Sequence, residues 1–302
     1  MRFFPKLFTT LLIALPLMAS ASELDSSINF KKRRALVGYG NALAYTSTMT
    51  GLYSLWYSEY PLGKFHFFDD NKQWLQMDKV GHAYSCYAEG WVGVKMMKWA
   101  GYNRKQSILI GGSYGFLLQT TVEVFDGFSE NWGASVGDIA ANAFGTGMVI
   151  GQEWFWDEQR IQFKFSFSQS EYAKIRPNVL GERQTQILKD YNGQTYWLSA
   201  NVKSFLKEES KFPAWLNVSV GYGADGMVGG DDNIFERNQI VYDYSHIPRQ
   251  RQFYLSPDID FTKIKTNSRF LKGLFVVMNG FKMPMPALMW QDGKMSFYAL
   301  HY

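Results

Sequence analysis

The chain of 302 residues contains one cysteine, Cys86. A single cysteine closes no internal disulfide, so packing alone must hold the fold, and a buried, inert thiol is the expected state of Cys86. Charge of one sign is also scarce. Lys and Arg number 31 against 27 Asp and Glu, and KKRR at 31–34 is the only basic cluster. That excludes a nucleic-acid arm and leaves KKRR to lipid headgroups or solvent. There is no Gly-x-Ser-x-Gly elbow, no paired Cys-x-x-Cys and no Walker loop, so three common catalytic plans are missing. GYGADG at 221–226 has the spacing of a dinucleotide loop, but MVGGDDN follows it. A second turn where a helix is needed makes it a hairpin loop. No long, strongly apolar run, internal repeat or low-complexity segment is present.

What is present begins with MRFFPKLFTTLLIALPLMASA, residues 1–21. Arg2 and Lys6, a short apolar stretch and small residues at Ala19 and Ala21 are the parts of an export signal, with cleavage expected after Ala21. A lipoprotein would need a cysteine at that point, and none stands there. Aromatic residues make up 17% of the chain, a bias of proteins that meet a membrane interface.

The expected fold is α+β. Residues 22–157 read as a glycine-rich four-helix bundle associated with a membrane, over roughly 35–58, 80–100, 105–126 and 135–156. Small residues at three- and four-residue spacing, such as Gly90 and Gly93 or Gly111, Gly112 and Gly115, let helix backbones approach closely. Residues 158–302 alternate with a period of two and predict five to seven antiparallel strands packed on the bundle. RIQFKFSF sets Ile161, Phe163, Phe165 and Phe167 on one face, and WLNVSVGYG does the same for Leu216, Val218, Val220 and Tyr222. Pro257 argues for a strand edge or bulge. After the Asn-Gly turn at 192–193, Trp197, Val202, Phe205 and Leu206 read as an amphipathic docking segment.

Polar residues recur on the small-residue faces of the helices. Asp78, His82, Cys86 and Glu89 follow one stripe, Gln119, Glu123 and Asp126 a second, and Asp138 and Asn142 a third. One reading is a shared site: Asp78, His82, Glu123, Asp138 and Asn142 as a catalytic polar cluster, with His82, Glu123 and Asp138 as ligands of a divalent metal. The other is a buried staple. In that reading Asp78 is a cap, Ser135 and Asp138 form a variant capping box, and Gln119 and Asn142 bond between helices.

DKVGHAYSCY and VEVFDGFSENWGASVGDIAANAFGTGMVIG resemble the YfiM-type family of predicted periplasmic lipoproteins and, more distantly, VanZ-like membrane proteins. The likeness rests on Asp78, Lys79 and His82 in an Asp-Lys-x-x-His helix start, and on Asp138, Asn142 and Gly145 in Asp-x-x-x-Asn-x-x-Gly. Glu123 matches a Glu of the VanZ-like pattern. The resemblance implies no established reaction. The resulting expectation is an exported protein of a Gram-negative envelope, in the periplasm or outer membrane rather than the inner membrane. Its expected partners are membrane lipids and an envelope protein, and its role structural or accessory. The alternative is a metal-dependent or acid–base hydrolase of a lipid or cell-wall precursor.

Overall fold

Helices form where the small-residue stripes predict them. The computed structural model describes residues 30–58 and 61–301; the export signal expected over 1–21 lies outside them. Helix α1 is Phe30–Leu52, which widens into Tyr53–Tyr57, and α2 is Met77–Trp99. A turn at Arg104–Gln106, opened by a reciprocal Asn103–Gln106 capping box, runs through a wide turn at Ser107–Gly111 into α3, Tyr114–Asp126. Helix α4 is Val136–Phe155 and α5 is Arg269–Met278. The chain divides into two compact units. The first comprises residues up to Asp69, Ser85–Gln159 and Lys265–Met278; the second comprises Asp70–Tyr84, Arg160–Ile264 and Asn279–Tyr302. Helix α2 is thus split, and α5 joins the first unit as a helix beyond the four expected.

In the first unit, glycine sets the distance between helices. A Cβ on Gly93 would lie 2.2 Å from the Gly111 carbonyl oxygen, and one on Gly115 would lie 2.6 Å from Cys86 Cα. Only hydrogen fits at those contacts, so α2 meets residues 111–115 backbone to backbone. Tyr45 of α1 donates to Thr121 Oγ1 of α3 at 3.2 Å. KKRR opens α1, and half of it has a structural task. Arg33 donates to the Trp99 carbonyl and Arg34 to the Gly101 carbonyl, which serves the exposed C-terminal carbonyls of α2.

Large apolar side chains stand exposed on this unit. Leu43 is 68% exposed, Leu117 62% and Phe155 81%. Among the described residues, one helix is long and apolar enough to cross a membrane, Arg104–Asp126, and only 28% of its most apolar window is buried. Tyr45, Tyr114 and Leu117 line an open groove of ≈ 320 Å³ between α1 and α3.

The second unit is built on a six-stranded antiparallel sheet of order β1-β2-β3-β6-β7-β8, within the expected five to seven. Its strands are β1 Ile161–Phe167, β2 Gln194–Asn201, β3 Leu216–Asp225, β6 Gln250–Ile259, β7 Met285–Gln291 and β8 Lys294–His301. The hairpin of β4 Ile234–Arg237 and β5 Ile240–Asp243 stands apart from it. Trp197 sits in the middle of β2 and is fully buried, so the amphipathic segment expected there is a strand followed by a 3-10 turn at Val202–Phe205. The run Thr195-Tyr196-Trp197 is β-branched and aromatic, which suits a pleated surface. Pro257 pairs with Val218 of β3, while the β6–β7 ladder ends at Leu255, so its missing N–H falls where β7 is no longer paired. Beside a register shift between Met285 and Ala287, the Tyr298 and His301 rings lie 5.7 Å apart.

The inner face of this sheet buries polar groups beside an apolar cluster of Trp197, Tyr254, Ala287 and Met289. The inner face carries Gln162, Lys164, Ser199, Asn217, Ser219, Ser256 and Asp258, all buried. On the outer face of β3-β6-β7-β8, Val220, Leu255, Leu288 and Phe297 are paired across four strands and are 40–67% exposed. A second cross-strand row, Tyr222, Phe253, Trp290 and Met295, lies beside it.

Candidate functional site

In the first unit the sequence-predicted residues Glu123, Asp138 and Asn142 are brought together around the start of α4. Ser135 is the N-cap: its side chain accepts from Asp138 N at 3.1 Å. The Ser135 N–H is in turn taken by Glu123 Oε2 at 2.8 Å, so Glu123 completes from α3 the reciprocal bond that a capping box takes from its own helix. Glu123 is 2% exposed and Asp138 3%. One turn further along α4, Asn142 Oδ1 accepts from the Cys86 thiol at 3.3 Å. Burial and the Glu89 charge push that thiol far up, so Cys86 is the inert buried thiol expected.

Two other acids of the stripes are also engaged. Glu89 accepts from Gln119 Nε2 at 3.0 Å. Asp126 accepts from the Tyr57 hydroxyl at 2.6 Å and from Trp132 Nε1 at 2.5 Å. Burial and Asp126 raise Tyr57 well above the ordinary phenol range, which keeps it a donor.

Asp78 and His82 stand in the second unit, one turn apart on α2 and half-buried. Tyr191 donates a short hydrogen bond to Asp78 Oδ1, and Lys79 pairs with Asp70 at 2.6 Å. The turn before them is strained. Trp74, Leu75 and Gln76 all have positive φ, at 49°, 49° and 64°. Left-handed backbone without glycine costs of order 1–3 kcal/mol per residue and persists only where neighbours hold it. Here Trp74 N donates to Gly230 O at 2.8 Å, the Tyr222 hydroxyl to Leu75 O, and Arg251 to Gln76 Oε1 at 2.6 Å. The start of α2 is therefore fixed in direction, which aims the Asp78–His82 face.

All five predicted site residues fall within one stretch of sequence. Residues 66–151 match the family described as predicted periplasmic lipoprotein (DUF2279). The protein is exported and belongs to the cell envelope, in the periplasm or at the outer membrane. No curated protein and no solved structure matches the chain. The family match reaches neither the sheet nor the groups on its inner face.

Those groups are what sequence reasoning missed. Asp258 lies between two buried lysines, with Lys164 Nζ at 2.8 Å and Lys282 Nζ at 3.9 Å. Ser199 Oγ donates to Asp258 at 2.6 Å and Asn217 Nδ2 to Ser199 Oγ at 2.9 Å, so the carboxylate is held in a chain of donors. Lys164 also donates to the Ile259 carbonyl at 2.7 Å, and Lys282 lies 5.0 Å from the Trp197 ring centre. The signal was in RIQFKFSF, whose polar positions share one face; the alternation does not say that this face is buried along with the Phe163–Phe165 face.

His301 stacks on Tyr254 with ring centres 4.3 Å apart. Burial, helped by the Lys282 charge, lowers its pKa to about 4. Between about 4 and the ordinary value of 6.5 the unfolded chain binds the extra proton, so stability falls as the pH drops through that window. Urea midpoints measured from pH 7 to 4 should fall less steeply for His301→Phe than for the native chain; equal slopes would remove His301 as the cause.

Proposed function

We propose that the protein is a membrane-associated component of the envelope with a structural or accessory role, in envelope maintenance or in assembly with an envelope partner. The observation that carries this reading is the apolar surface of Arg104–Asp126, of whose most apolar window only 28% is buried among the described residues. The polar residues of the helical unit support it from inside. Glu123, Asn142, Glu89 and Asp126 each accept a hydrogen bond that ties two segments together, as a staple does. The test is extraction of cell membranes with alkaline carbonate. The protein should stay with the lipid, and Ile110→Asp with Leu117→Asp should move it to the soluble fraction. Native protein released by the wash would contradict the reading.

A second reading, a metal-dependent or acid–base hydrolase of a lipid or cell-wall precursor, is favoured by Asp78 and His82. A carboxylate and an imidazole one turn apart, behind a strained turn, are the residue types a divalent cation or a proton-transfer step uses. His82 is the donor to test, with Glu123 and Asp138 the carboxylates that the sequence pairs with it. Stoichiometric metal in the purified protein, lost in His82→Ala with melting unchanged, would favour the hydrolase. No metal, with a variant that melts well below the native protein, would favour the staple.

A further inference from the structure

The outer face of β3-β6-β7-β8 is the largest feature that neither reading uses. Its first row, Val220 to Phe297, is wholly apolar, and its second is largely aromatic, with Phe253 5.4 Å from Tyr222 and 5.6 Å from Trp290 between ring centres. The hydroxyl of Tyr222 is already spent on Leu75 O. A protein partner is usually held by about one hydrogen bond per 100–200 Å² of interface, and these rows offer almost no side-chain group for one. Two pairs beyond the aromatic row, the same face turns charged at exposed Arg251, and the β7–β8 turn beside it carries exposed Asp292. Aromatics at the margin of an apolar patch, with charge just outside, are the order in which side chains meet a membrane interface. The inner face gives much of its interior to Lys164, Asp258, Lys282 and their hydrogen bonds, beside the Trp197, Tyr254 and Met289 cluster.

From this we propose that the outer face of β3-β6-β7-β8 rests on a lipid bilayer, as a second membrane contact of the protein; the proposal extends the membrane association argued above. The sheet lies on the bilayer and does not span it. From Val218 to Tyr222 the apolar band is about 14 Å along the strand, against about 25 Å in a spanning barrel. Among the described residues the ladder also ends at β8, and an open sheet edge is not tolerated within the hydrocarbon. Lying flat, the sheet puts its side chains among the acyl chains and leaves the β8 edge at the wet headgroup level.

The test places an environment-sensitive fluorophore at single cysteines in full-length protein carrying Cys86→Ser, on Leu255→Cys, Phe297→Cys, Leu117→Cys and, as a control on the exposed hairpin, Glu236→Cys. Vesicles of phosphatidylethanolamine and phosphatidylglycerol carry doxyl groups on their acyl chains. The expected result is loss of fluorescence at 255, 297 and 117 with none at 236. Quenching at 117 alone would overturn the sheet contact and leave membrane association standing; no quenching at any site would overturn both. Quenching at all four would mean unfolding on the lipid and would overturn the proposal too. Unquenched 255 that cross-links to 255 of a second copy would make the face an interface between protomers instead.

Discussion

Asp258→Ala should lower the stability of the second unit by about 3–5 kcal/mol, the range found when one partner of a buried ion pair is removed. The side chain is fully buried and has Lys164 and Lys282 on either side. Without it two ammonium groups remain in a closed interior, and Ser199 loses its acceptor. Burial already lowers Lys282 to about 8, against the pull of Asp258. Removing the carboxylate lowers it further. The pH dependence has a definite sign. A lysine depressed in the folded state makes folding less favourable at neutral pH, and that penalty fades as the pH rises from about 8 toward 10.5. The variant should therefore recover part of its loss in mildly alkaline buffer. Melting curves of native and variant protein at pH 7 and pH 9.5 check both the size and the recovery; a variant that melts like the native chain would mean that water, not Asp258, screens the lysines.

Gly93→Val should be the most damaging single change in the helical unit. The added Cβ meets the Gly111 carbonyl oxygen at 2.2 Å, a backbone atom that cannot swing aside. Overpacking of this kind costs about 1–3 kcal/mol, and more where backbone must move. Gly147 of α4 is the contrast, because nothing lies within 4 Å of a Cβ placed there. Gly147→Ala should stabilise by up to about 1 kcal/mol through helix propensity alone. Urea unfolding of Gly93→Ala beside Gly147→Ala separates close approach from propensity, since propensity alone would make the two equally favourable.

Much of the helical unit was legible because its signals are local. The expected segments at 80–100, 105–126 and 135–156 lie close to Met77–Trp99, Arg104–Asp126 and Val136–Phe155. The first helix begins earlier than expected, at Phe30, because Arg33 and Arg34 reach the carbonyls that end α2. That partner lies far along the chain, and no local pattern reveals it. The same holds for Glu123. Its spacing marks it as polar on a small-residue face, but its task of closing the Ser135 cap depends on how α3 meets α4. The sheet was legible as alternation and illegible as to which polar positions are buried. Lys164 reads as a solvent residue until register pairs it with Trp197 and packing sets its ammonium against Asp258. The burial of these polar positions follows from non-local pairing, and period-two reasoning is blind to it.

The central claim is that the protein holds to lipid through apolar surface and not through charge. Flotation of the purified protein with phosphatidylethanolamine and phosphatidylglycerol vesicles, at low salt and again at 1 M salt where charge attraction is screened to about 3 Å, tests it most directly. Co-flotation that persists at high salt is the predicted result. Protein that stays at the bottom of the gradient, or that floats only at low salt, would contradict the account.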